Sequence, residues 1–199
     1  MAAYDADAIA SLFAEESHWR DLVVFTWHIR TFSSRDAIRE AFTHRLTETK
    51  PRNFSIASGR TPPRAVTRAG TECIEANFTF ETETSRGSGI LRLVPAPERS
   101  KQQFVCWVLL TTLDAIKGHE EQIGVRRPRG EEWSGGFGTD NWLDVRQRTM
   151  AYEDREPSVV VVGGSQSGLG IAACLNVLGV DTLVVDNGNR GGPARPSAG

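Results

Sequence analysis

Six consecutive residues carry the clearest chemical signal in the sequence: Gly163, Gly164, Ser165, Gln166, Ser167 and Gly168. They follow an apolar, β-branched run at residues 158–162 and precede a stretch with helical spacing at 169–178. A second apolar run, 182–185, ends at Asp186, 23 residues after Gly163. A glycine turn between a strand and a helix aims backbone N–H groups at a pyrophosphate, and the helix N-terminus adds its positive end. Here Gly163 makes the turn and Gly168 lets the helix pack close to the strand. Asp186 stands where a carboxylate accepts a hydrogen bond from a ribose hydroxyl. Ser165 replaces the second glycine of G-x-G-x-x-G. Its Cβ crowds a phosphate and its hydroxyl can donate to one, so the expectation is weakened or rearranged dinucleotide binding, not its loss. The competing reading is a βαβ unit whose glycines serve packing alone.

Other chemistry is fainter. Asp21, beside His18, His28 and the tryptophans Trp19, Trp27 and Trp107, is the best candidate for a general base facing a small-molecule substrate. Against that stands a structural ion pair with Arg20 or Arg30, with the tryptophans as core. His44 reads as solvent-facing on a helix and His119 as a turn residue. The four histidines show no metal-ligand spacing, so no metal is expected. Cys73, Cys106 and Cys174 form no CxxC pair and read as buried or half-buried thiols in a reducing compartment. Arg126, Arg127 and Arg129 read as a solvated linker, since Glu131 and Glu132 follow. Ser165 and Ser167 do not make a nucleophile elbow, because Ser167 occupies the place of the second glycine in G-x-S-x-G.

The bulk composition agrees. The chain has 199 residues, about one domain and a fraction. Its 23 Lys and Arg against 25 Asp and Glu give a net charge of −2, which gives no support to a nucleic-acid binder. No apolar run approaches the ~18 residues a membrane helix needs. Residues 1–16 lack a basic leader, so the expected location is the cytoplasm.

The elements that must position these residues are α+β in character. Asp5 or Asp7 caps a short helix carrying Ile9, Leu12 and Phe13. Residues 18–27 suit a strand. Ser33 with Asp36 resembles a capping box for a second helix carrying Ala37, Ile38, Ala41 and Phe42, which Pro51 ends. Strands follow at 54–58, 64–69 and 71–84, and a hairpin turn at 85–87 leads into 89–94. Residues 104–113 form a central strand. Residues 123–157 are loop-rich, with a short helix at 141–151. In the final unit Leu169, Ala172, Ala173 and Val177 face a sheet, and Gly179 ends the helix.

Several segments, in their order and spacing, carry a resemblance: 18–22, Thr26 with Trp27, 30–32, 35–38, 107–120, 141–143, 152–155 and 159–186. Together the chain resembles the N-terminal part of flavin-dependent monooxygenases of fungi and actinobacteria. In that family an NTF2-like (SnoaL-like) domain precedes the FAD- and NADPH-binding core. The resemblance implies an NTF2-like cone, a curved antiparallel sheet with helices, at 1–122 and a linker with a short helix at 123–157. It implies a truncated Rossmann βαβ unit and tail at 158–199. It also implies FAD at Gly163, Gly164, Ser165, Gln166, Ser167, Gly168 and Asp186, with NADPH as reductant in the complete enzyme. Residues 193–199 depart from the family, so the expectation is a truncated product or misread frame that is inactive alone. Two alternatives are a stand-alone cone isomerase or dehydratase, and a non-catalytic module that forms a homodimer through its sheet.

Overall fold

The computed structural model describes residues 5–98, 100, 102–127 and 142–188. The chain divides into two units, Met1–Gly118 and His119–Gly199.

The N-terminal unit opens with α1 (Ala6–Ala10), whose N-cap Asp5 accepts the Ala8 N–H at 2.9 Å. Phe13 is not on that helix; it starts strand β1 (Phe13–Leu22). The strand therefore begins and ends five residues before the expected span, and residues 23–28 form a loop. An unforeseen short strand, β2 (Ile29–Ser33), pairs antiparallel with β1. Helix α2 (Arg35–Thr49) is capped by Ser34, which accepts the Ala37 N–H at 3.3 Å. Ser33 is still in β2, so the Ser33–Asp36 box does not form. Lys50 ends α2 in the left-handed region at φ 47°, directly before Pro51. Ile38, Phe42 and Leu46, spaced by four, make one buried stripe on α2. Phe42 lies 4.6 Å from the Trp19 ring and 5.9 Å from Phe13, which fixes the helix on the sheet.

Five more strands complete this unit: β3 (Arg52–Ile56), β4 (Arg64–Arg68), β5 (Thr71–Glu81), β6 (Ser85–Pro95) and β7 (Phe104–Ile116). The sheet order is β2-β1-β7-β6-β5-β3, with β4 also on β5. Among these pairs β1 and β7 run parallel and the others antiparallel, so the sheet is mixed and not the antiparallel one expected. The β5–β6 turn falls at 82–84, where the Thr82 N–H donates to the Ser85 carbonyl, and not at 85–87. Gly87 and Gly89 sit inside β6 instead. A Cβ at Gly87 would meet the Phe80 ring at 2.6 Å, and one at Gly89 would meet the Phe78 ring at 2.4 Å. These glycines let the cross-strand rings lie flat on the sheet. Trp19, Phe25, Phe42 and Phe80 form the middle of the core.

In the C-terminal unit, α3 (Trp142–Ala151) matches the expected helix, and Asn141 lies outside the described residues. Arg129, Glu131 and Glu132, and residues 193–199, lie outside them too. Strand β8 (Val159–Val162), helix α4 (Gln166–Val177) and strand β9 (Thr182–Val185) form a βαβ unit. The strands are parallel, with Val159 opposite Thr182 and Val162 opposite Val185. Leu169 and Ala173 are exposed rather than packed on the strands. Gly168 is buried, while Ala172, Leu175 and Val177 are half-buried. Gly179, at φ 72°, follows the helix end as expected, and its N–H donates to Asn176. No helix among the described residues is long and apolar enough to cross a membrane.

Candidate functional site: a glycine turn at a helix N-terminus

Gly163 leaves β8 in the left-handed region at φ 105°, where an L side chain is strained. Its N–H donates to the Val185 carbonyl at 2.8 Å, which ties the turn to the end of β9. Ser165 then takes the N-cap position of α4 with extended backbone, φ −73° and ψ 177°. Glycine is not needed at 165 for backbone reasons. The Ser165 side chain makes no capping hydrogen bond. First-turn N–H groups lack intrahelical acceptors, so those of Gln166, Ser167 and Gly168 point out of the N-terminal end of α4. The helix dipole adds positive potential at the same place.

Two contacts close the turn. A Cβ on Gly168 would stand 1.9 Å from the Gly163 carbonyl oxygen, so only hydrogen fits there. A Cβ on Gly164 would stand 2.7 Å from Asp186 Oδ2, so the carboxylate rests against the turn. Asp186 Oδ1 accepts the Asn187 N–H at 2.7 Å. Gly163, Gly164, Ser165, Gln166, Ser167, Gly168 and Asp186 therefore meet at one end of the parallel strand pair. Outward N–H groups at a helix N-terminus can hydrogen-bond an anion.

A clasp that the sequence did not disclose steadies the strand end opposite this turn. The Tyr152 hydroxyl donates to Asp181 Oδ1 at 2.7 Å, and Arg155 Nε donates to Oδ2 at 3.1 Å. The Arg155 guanidinium also lies 4.3 Å from the centre of the Tyr152 ring. The Tyr152 hydrogen bond, then Arg155, holds the Asp181 carboxyl below its ordinary range. Asp181 directly precedes β9, so the clasp fixes where that strand starts.

Asp21, the other candidate, is fully buried in the N-terminal unit. Its carboxylate accepts the Phe25 N–H at 3.1 Å, the Thr26 N–H at 2.8 Å and the Thr111 hydroxyl at 2.9 Å. The Thr26 hydroxyl is a further 2.8 Å contact. Thr111 in turn accepts the indole N–H of the buried Trp19 at 2.9 Å. The expected arginine pairing is absent from this set: Arg20 donates to Thr31 instead. The carboxylate turns the chain at 23–28, where Val23 and Trp27 adopt positive φ of 61° and 55°.

The remaining candidates scatter. His18 is exposed, with Nδ1 3.0 Å from the Ser33 hydroxyl. His28, His44 and His119 are exposed, Trp27 is exposed, and Trp107 is half-buried. No group of His, Cys, Asp and Glu among the described residues could hold a metal. Burial pushes the Cys106 thiol up to about 12 and leaves it unreactive. Cys174, expected to be at least half-buried, is exposed on α4.

No protein-family model matches the chain, and no curated protein matches it in sequence. Its structure is similar to that of nuclear transport factor 2 from Cryptosporidium parvum. That match has a TM-score of 0.36 and 13% identity, and covers 56% of this chain and 81% of the other. It is also similar to a provisionally assigned aromatic ring hydroxylase from Novosphingobium aromaticivorans. There the TM-score is 0.33 and the identity 14%, over 56% of this chain and 76% of the other.

Proposed function

We propose that the turn at 163–168 binds the diphosphate of FAD, as part of a FAD-dependent monooxygenase that uses NADPH. In this reading the βαβ unit is the start of a Rossmann-type domain, and the sheet unit before it is NTF2-like. The observation that carries the reading is the Gly163–Gly168 contact beneath an uncapped helix N-terminus. Gln166, Ser167 and Gly168 offer backbone N–H groups to the phosphates, and Asp186 accepts from a ribose hydroxyl. Bound FAD supplies the redox chemistry, while the protein holds and orients it. Titrating the 199-residue chain with FAD, followed by flavin fluorescence, tests this reading beside Gly163→Asp. Saturable binding lost in the variant is the expected result. Equal binding by both proteins opposes it.

A second reading concerns the sheet unit alone. Ile90, Val108 and Leu110 share the face opposite the core, with Ile90 directly across from Leu110. All three are half-buried, and polar residues such as Arg20 and Thr31 flank them. This supports an NTF2-like module that forms a homodimer through that face. Sedimentation of the chain, with and without Leu110→Arg, tests it: a dimer that the variant abolishes is the expected outcome.

A further inference from the structure

Strand β8 presents the same side chain at every step, Val159 to Val162, so it carries no mark of its own register. Opposite it stand Thr182, Leu183, Val184 and Val185, which are nearly as uniform. Register matters here. A slip of one residue turns every side chain of a strand to the other face. A slip of two moves the strand end by about 7 Å. Either one carries Asp186 away from Gly164, against which its carboxylate rests.

Asp181 supplies the missing mark. Its backbone carbonyl accepts the Val159 N–H at 3.2 Å where the two strands begin, and the Gly163 N–H donates to Val185 where they end. Its carboxylate is the one that Tyr152 and Arg155 hold. Arg155 stands four residues before Val159, so the clasp joins the chain that enters β8 to the residue that enters β9. Arg155 Nη2 also donates to the Thr149 carbonyl at 2.8 Å, which ties the clasp to the last turn of α3. Tyr152 adopts a left-handed backbone, φ 49°, which is unfavourable for a bulky side chain. Such a conformation persists where the surrounding contacts over-determine it.

We propose that Tyr152, Arg155 and Asp181 are positioning residues that lock the register of β9 on β8 and so place Asp186 for the ribose hydroxyls of the bound nucleotide. Asp186 lies five residues beyond Asp181. This role rests on the diphosphate reading of the turn at 163–168. The three residues act through Asp186 and not by touching the ligand. They therefore govern selectivity for the ribose, while the N–H groups at the start of α4 hold the phosphates.

The probes are ADP and 2′,3′-dideoxy-ADP, titrated calorimetrically into the full chain. The parent is expected to bind ADP about tenfold more tightly, the worth of a hydrogen bond to a charged acceptor. Asp181→Ala is expected to bind both compounds as weakly as the parent binds the dideoxy compound. Tyr152→Phe removes the shorter hydrogen bond, keeps the ring on Arg155, and shifts the discrimination in the same direction. In the ligand-free chain, solvent exchange of the Gly163 amide, read by NMR, should quicken about tenfold in Asp181→Ala, because a slipped β9 no longer offers the Val185 carbonyl. A clasp that only stabilises the fold would weaken both probes by one factor and keep the discrimination. That result, or an unchanged Gly163 exchange rate, would overturn the proposal. A parent that binds neither probe at millimolar concentration would instead defeat the diphosphate reading, and the ribose role with it.

Discussion

The Asp21 carboxylate and the Thr111 hydroxyl lie 2.9 Å apart across ninety residues of sequence. Through that bond β1 is fastened to its parallel neighbour β7, and the same carboxylate gathers the N–H groups of Phe25 and Thr26. Hydrogen bonds to a buried charged acceptor are stronger than neutral ones, and an unmade one leaves its donor desolvated. Asp21→Asn keeps the shape but turns an amide donor toward other donors. Urea unfolding should show a loss of about 3 kcal/mol. A variant as stable as the parent would remove Asp21 from this keystone role.

Gly168→Ala should be local in effect. The new Cβ must displace α4 from the Gly163 carbonyl, which lies 1.9 Å from the place it would occupy. FAD binding falls at least tenfold, while the near-ultraviolet signal of the buried Trp19 cluster in the other unit is retained. Unchanged FAD affinity would oppose the proposed role of this close approach of helix and turn in binding FAD.

Glu75 sets part of the acid limit. It accepts from Arg68 at 2.8 and 3.0 Å and from Arg92 at 2.9 Å. The Arg68 hydrogen bonds first, then that from Arg92, hold its carboxyl at about 2 rather than 4.5. A depressed carboxyl contributes stability above its unfolded value and loses it as pH falls toward the folded value. The parent should therefore lose stability between pH 4.5 and 2. Lys117 depresses Glu81 and Lys50 depresses Glu83, which adds to the same trend. Glu75→Gln should lower stability at neutral pH and flatten this window. An acid profile identical to that of the parent would refute the assignment.

Ser17 offers a change of opposite sign. Its hydroxyl is buried in β1 with no hydrogen-bond partner among the described residues. Removing an unsatisfied buried polar group relieves a desolvation cost, so Ser17→Ala should raise stability by about 1 kcal/mol. Thermal and urea unfolding check this; a loss of similar size would show that the hydroxyl has a role.

What the sequence disclosed divides along the range of the forces involved. The central strand β7, the βαβ order and the end of α4 at Gly179 were legible, because apolar runs and glycine punctuation act locally. The break after Leu22 was not. Residues 23–27 have strand-like composition, but Asp21 draws the N–H groups of Phe25 and Thr26 out of any ladder. Strand β2 was missed for a related reason: it is short, lies at the sheet edge, and is mostly exposed. Gly87 looks like a turn residue in sequence and Gly89 like a strand start, yet the reason for both glycines lies across the sheet in Phe80 and Phe78. Asp21 was recognisable as unusual, but its hydrogen-bond partner Thr111 belongs to another strand.

If the turn at the start of α4 holds the FAD diphosphate, as proposed, its own amides must respond to the ligand. Amide shifts from 1H–15N NMR of the full chain, titrated with FAD, test it most directly. Saturable shifts concentrated at Gly164, Ser165, Gln166, Ser167 and Gly168, with a smaller one at Asp186, are expected. Saturable shifts elsewhere, with these amides unmoved, would contradict it, as would no shift at millimolar FAD.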